Sequence, residues 1–249
     1  MSLVTGVCIF FLGLLQGFLN TIAGGGTFIV LPVLTFLGLG IDVANGTNRI
    51  AIVMQSAAGA LGFQKQKMSF MNVALPLALV MSVGALVGAR VVVDLDKDTL
   101  NLVIAAIITV MAILLLVRPG MWEAKSSRAW PKWASWLLFF AIGVYAGFIQ
   151  AGVGFFMSWA LVAAMGVDLV RGNAIKTVVV GFSNVASLLL FYYNGLIDIR
   201  IGLVLGIGSV FGAWLGAKFS VLKGNDWVRR ILAVVIILSA VKMVHGVLF

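Results

Sequence analysis

The chain has 249 residues, of which 62% are hydrophobic and 10% charged, with a formal net charge of +9. Ordinary soluble domains carry about 25% charged residues, and a domain of this size still needs a polar exterior that this composition cannot supply. A soluble enzyme, a secreted disulfide scaffold, a nucleic-acid binder and a disordered chain are excluded. What remains is an all-α polytopic membrane protein, whose basic residues set orientation in the bilayer rather than bind nucleic acid.

Met1-Ser2-Leu3-Val4 lacks a basic leader, so the run that follows is expected to be a retained first helix. Apolar runs then fall at about 4–22, 27–39, 46–64, 71–93, 100–117, 135–151, 154–166, 173–194, 200–221 and 227–247. A helix needs about 20 residues to cross the roughly 30 Å hydrocarbon core. The runs 27–39 and 154–166 have only 13 residues each, and each follows a glycine break, Gly24-Gly25-Gly26 or Gly152-Val153-Gly154. They are expected to be half-helices, giving about 8–10 membrane segments with two short broken ones. None of the runs alternates apolar and polar residues as a membrane β-barrel would.

Charge sets the expected orientation. The connection 118–134 carries Arg118, Lys125, Arg128 and Lys132 and should face the cytoplasm. With that choice, twelve of the seventeen basic residues fall inside and five of the eight acidic ones outside. The loop 94–99 is then outside, the Lys65/Lys67 turn inside, the loop at Asp198 outside and 218–230 inside. Trp122, Trp130, Trp133 and Trp136 cluster about the central connection as an aromatic belt does.

Internal similarity runs through the same segments. Gly13 to Asn20 matches Gly143 to Gln150 at an offset of 130, and Gly24 then matches Gly154. Gly84-Ala85-Leu86-Val87-Gly88 matches Gly212-Ala213-Trp214-Leu215-Gly216 at 128, and Asn48 matches Asn173 at 125. Each half holds five segments, an odd number, and matching loops swap their charge bias. That pattern predicts two inverted-topology repeats, 1–117 and 135–249, joined by the cytoplasmic connection 118–134.

Gly17-Phe18-Leu19-Asn20-Thr21-Ile22-Ala23-Gly24-Gly25-Gly26 with Thr47-Asn48-Arg49 resembles the first repeat of the sulfite exporter TauE/SafE family. Gly147-Phe148-Ile149-Gln150-Ala151-Gly152-Val153-Gly154 with Asn173-Ala174-Ile175-Lys176 resembles its second. The resemblance implies a multi-pass transporter of the bacterial inner membrane exporting sulfite or a small sulfur-containing organic anion such as a sulfonate. The halves are not equivalent: Gln150 and Phe155-Phe156 stand where the first has Asn20 and Gly25-Gly26.

A glycine break inside a membrane exposes backbone groups that hydrocarbon cannot satisfy, so it must line protein or a wet cavity. The half-helix after it begins with unpaired N–H donors and a positive dipole end, which suit an oxyanion. The expected substrate site is therefore Asn20, Gly24, Gly25, Gly26, Thr27 and Asn48 from one half, with Gln150, Gly152, Gly154 and Asn173 from the other. Asn48 and Asn173 are expected near helix starts, where Asn also serves as a cap. Arg49 and Lys176 are expected at the outer and inner vestibules, attracting anions or snorkelling to the interface. Thr177, Gln55 and Asn184 supply further buried polar groups.

Cys8, His245 and Glu123 are each the only one of their kind, too few and too scattered for nucleophilic or metal-assisted chemistry. No enzyme activity, cofactor or metal is expected. No carboxylate lies within an apolar run, so coupling to H+ or Na+ would use a proton carried by the anion itself or a site of neutral oxygens. The remaining expected partners are the lipid bilayer and a second copy of the chain in a homodimer. An anion channel is the alternative function.

Overall fold

The computed structural model describes the backbone of residues 2–22, 24–66, 70–96, 98–100, 102–104, 106 and 130–248; beyond residue 223 only the side chains of Trp227 and Arg230 are described. Helices run α1 (Leu3–Ile22), α2 (Thr27–Phe36), α3 (Ile41–Lys65), α4 (Met71–Asp94), α5 (Lys132–Phe148), α6 (Val153–Met165), α7 (Leu169–Tyr193) and α8 (Ile199–Leu248). There is no strand among the described residues.

Leu3–Ile22, Met71–Asp94, Leu169–Tyr193 and Ile199–Lys223 are long and apolar enough to cross a bilayer. Helices α2, with 10 residues, and α6, with 13, are too short, as the glycine breaks led us to expect. Large apolar side chains point outward along the bundle, among them Phe11, Leu79, Trp133 and Trp136, each more than half exposed. An outer surface of this kind is suited to lipid. Polar side chains lie inside instead: Gln16, Asn48, Arg49, Asn173 and Asn184 are all 1% exposed or less. The chain is a multi-pass, all-helical membrane protein.

One expectation about the segments changes. Residues 218–230, expected as a connection between two spans, are helical and continue α8 without interruption. The fifty residues of α8 extend about 75 Å at 1.5 Å each, far beyond one bilayer crossing. Its stretch Ile199–Lys223 is long and apolar enough to cross a bilayer, and most side chains beyond it lie outside the described residues. Most of the run 100–117, residues 118–129 of the central connection and Trp122 lie outside the described residues.

The strongest helix contacts cross between the halves. Helix α1 packs on α8, α5 packs on α4, and α3 and α7 meet each other and also α8 and α4 respectively. In a bilayer no hydrophobic gain drives such pairing, so close backbone contact through small residues has to hold it. At Gly13 and Gly17 a Cβ would strike the carbonyls of Leu205 and Ser209, and at Gly143 and Gly147 those of Met81 and Ala85. Reciprocally, Gly208 and Gly212 face the carbonyls of Phe10 and Leu14, while Gly84 and Gly88 face those of Phe140 and Val144.

These contacts correct the alignment. With α1 and α5 matched at 130, their partners on α4 and α8 differ by 124, so Gly84 and Gly88 correspond to Gly208 and Gly212. The sequence match at 128 is off by four residues, about one helical turn, because a glycine every fourth residue makes neighbouring registers look alike.

Leucine in place of Gly88 has no room, since even its Cβ would collide with the Val144 carbonyl. Gly88→Leu is expected to cost about 3 kcal/mol, seen as a lower thermal midpoint of the detergent-solubilised protein. An unchanged midpoint would contradict close packing at α4/α5.

Candidate functional site

Both interruptions lie where the glycines foretold. In the first, α1 stops at Ile22 and α2 starts at Thr27. Gly24 takes φ +97°, a conformation that glycine adopts without steric cost. Its N–H donates to the Leu19 carbonyl at 2.9 Å, and the Gly26 N–H donates to Asn20 Oδ1 at 2.8 Å. In the second, α5 stops at Phe148, Ile149 is extended, and Gly152, at φ +79°, is the N-cap of α6. The Gly152 carbonyl accepts from Phe155 N–H at 2.9 Å and Phe156 N–H at 3.5 Å.

The two breaks meet. A Cβ on Gly24 would land on the backbone of Gly154, and the rings of Phe28 and Phe155 stack with centroids 6.1 Å apart. Glycine at this crossing lets two main chains touch, so close packing and the shape of the site are one feature here rather than competing explanations.

Beside this contact lies a small cavity of about 30 Å³, room for about one water molecule. Asn20, Thr21, Gly24 and Thr27 line it from the first break, and Gln55 and Ser56 from α3. Gln150 and Gly154 line it from the second break, with Lys176, Thr177 and Val180 from α7. Lys176 is the charged group among these eleven.

The hydrogen bonds fix which end of each side chain the cavity receives. Asn20 uses its oxygen on Gly26 N–H, leaving Nδ2 for the cavity. Gln150 uses Oε1 to accept from Asn184 Nδ2 at 3.2 Å, leaving Nε2. Thr27 Oγ1 accepts from Asn48 Nδ2 at 3.5 Å, which frees its proton. Lys176 Nζ donates to Asn173 Oδ1 at 2.8 Å, and an ammonium has two further donors. Thr21 and Thr177 are opposite in sense, since their hydroxyls donate to the carbonyls of Gly17 and Asn173 and leave lone pairs.

Asn20, Gly24, Thr27, Gln150 and Gly154 therefore lie together on the cavity, and five of the expected substrate residues do not line it. Gly25, Gly26 and Gly152 shape the breaks. Two of the five glycine amides expected to meet an anion, those of Gly24 and Gly26, are already spent inside the chain.

Asn48 and Asn173 stand one layer behind the cavity and are not caps. Asn48 is the eighth residue of α3 and accepts from Gln16 Nε2 at 2.6 Å; Asn173 is the fifth of α7, and Asp168 caps that helix through Val170 and Arg171 N–H.

Arg49 and Lys176 are corrected too. Neither snorkels to a vestibule: Arg49 is fully buried and Lys176 is 2% exposed. Arg49 donates from Nη2 to the Gly147 carbonyl at 2.7 Å and from Nη1 to that of Ala146 at 3.1 Å. Its guanidinium lies 4.7 Å from the centre of the Phe191 ring. Asn45 Nδ2 donates to the Phe148 carbonyl at 2.8 Å. These carbonyls end α5 and have no partner within it, and the negative dipole end there favours a cation.

Thr21, Ser56 and Val180 line the cavity without having been anticipated, and Gln16 and Asn45 are buried supports that were also missed. Hydroxyls and amides embedded in apolar runs were the available signal, and Thr21 and Ser56 each follow an amide residue directly. No physical account is found for the buried Ser158 hydroxyl, which lacks a partner among the described residues.

Intramembrane breaks around a small polar cavity define a membrane transport protein as a class. Residues 9–243 match the family of the sulfite exporter TauE/SafE, and the chain belongs to that family. It is 26% identical over 236 residues to a "Probable membrane transporter protein ORF9" of Sinorhizobium sp, covering 94% of this chain and 90% of that one. A "Probable membrane transporter protein" of Haemophilus influenzae is 27% identical, with 95% and 93% covered. The "Probable membrane transporter protein YfcA" of Escherichia coli K12 is 26% identical, with 95% and 88% covered. No solved structure matches.

Gly24→Ala should disable the site, because the methyl group meets both an unfavourable φ and the Gly154 backbone. Gly38 has φ +92° but nothing within 4 Å of an added Cβ, so Gly38→Ala isolates the conformational cost, about 1–2 kcal/mol. Transport should be lost in Gly24→Ala and kept in Gly38→Ala. Equal behaviour of the two in a proteoliposome flux assay would detach the Gly24/Gly154 contact from function.

Proposed function

We propose that the protein is a secondary transporter of the bacterial cytoplasmic membrane that exports sulfite or a small sulfonate. Its halves act as inverted-topology repeats that rock about the central cavity to give alternating access. The observation that carries this reading is the cavity lining: one lysine, amide N–H ends from both breaks, and no carboxylate among the described lining residues. A bare cation in such a setting costs several kcal/mol unless something anionic joins it. At 4 Å and an effective dielectric constant of about 20, the attraction between unit charges is about 4 kcal/mol.

The small cavity excludes bulky solutes and would have to widen as the halves rock to admit even a compact anion. Corresponding glycine interfaces, α1/α8 and α5/α4, support two equivalent halves, and the basic Lys65/Lys67 turn set against the acidic loop at Asp198 supports their opposite insertion. The lone pairs of Thr21 and Thr177 suit a proton carried by the anion. That would allow coupling without a carboxylate in the protein.

The test is binding of sulfite, methanesulfonate, sulfate and acetate to purified protein, followed by counterflow in proteoliposomes. Wild type should bind a sulfur oxyanion with saturation and show counterflow, which a channel would not. Lys176→Gln should weaken binding at least tenfold, about 1.4 kcal/mol. Unchanged affinity in Lys176→Gln, or no binding by wild type, would overturn the reading.

A further inference from the structure

We infer that Arg49, which does not touch the cavity, sets its preference for anions by fixing the polarity of a hydrogen-bonded relay that ends at Gln150. Arg49 Nη1 donates to Asn184 Oδ1 at 3.3 Å. Asn184 Nδ2 donates to the Val180 carbonyl at 2.8 Å and to Gln150 Oε1 at 3.2 Å. A guanidinium has no lone pair and a carbonyl has no proton. Asn184 is therefore held in one orientation from both ends, although an isolated amide could turn over. Gln150 must in turn offer its oxygen to Asn184, and its Nε2 is the end left for the cavity.

The first break reaches the same polarity differently. Asn20, the counterpart of Gln150, is fixed by the main-chain N–H of Gly26, which also can only donate. In the second half the position matching Gly26 is Phe156, and Phe156 N–H is engaged with the Gly152 carbonyl. The orienting donor then comes from elsewhere, and Arg49 of the opposite half supplies it through Asn184. An arginine that merely closed the end of α5 would need the carbonyls of Ala146 and Gly147 alone. The additional bond to Asn184 gives it an influence on the ligand. Arg49 is thus a positioning residue, and this inference rests on the anion-transport reading above.

Asn184→Asp tests it, because the new carboxylate still pairs with Arg49 but cannot donate to Gln150, which then turns its oxygen to the cavity. Sulfite and methanesulfonate affinity, measured by calorimetry on purified protein, should fall at least tenfold. In a Gln150→Leu background the same substitution should change affinity less than threefold, since the relay has lost its terminus. An equal loss in both backgrounds would mean direct charge repulsion, and that result or unchanged affinity in the single variant overturns the relay. If Asn184→Asp does not accumulate folded, Asn184→Leu carries the same comparison without a new charge. Wild type that binds neither anion would refute the transport reading and this one together, whereas wild-type binding with no coupling between positions 184 and 150 refutes the relay alone.

Discussion

A main chain that stops being helical inside a membrane must find partners for its N–H and C=O groups within the protein. Nearly everything at the centre of this molecule follows from that requirement. Asn20 answers Gly26, Leu19 answers Gly24, and Arg49 with Asn45 answers the last carbonyls of α5. Once those obligations are met, the side-chain ends left over determine what the cavity presents. Asn20 braces the break with its oxygen and turns its Nδ2 to the cavity, so the same side chain links the fold to the cavity lining.

The two buried cations among the described residues do different work. Arg49 on α3 is consumed by the carbonyls of α5, whereas Lys176 on α7 lines the cavity. Chemistry explains the division of labour. The planar guanidinium spreads several donors over a helix end, while the ammonium concentrates its charge at a point. The cavity therefore has an amide on each break but charge from one side only among the described lining residues.

The glycine breaks, the short half-helices and the pairing of Asn20 with Gln150 were legible in the sequence, because interruptions of apolar runs are visible as composition. What composition could not convey was the direction in which side chains point. Arg49 and Lys176 look like interfacial residues when counted along a run, and only packing against α5 or around the cavity separates their roles. Asn48 and Asn173 looked like caps because the apolar runs begin beside them, but the helices begin earlier with polar turns that apolarity does not mark. Repeated glycines fixed which helices correspond but not their register, since a slip of one turn preserves the pattern.

The exchange of partners between halves also bears on how the chain is made. Helix α1 is synthesised before α8, yet its glycines pack on the backbone around Leu205 and Ser209, roughly 190 residues later. At about 5–20 residues per second, the ribosome needs roughly 10–40 s to deliver that surface. During this interval the small-residue stripe of α1 lies open in the membrane, available to stray helices or to quality-control proteases. The small-residue stripe of α1 is thus covered only once the α8 backbone around Leu205 and Ser209 has been made.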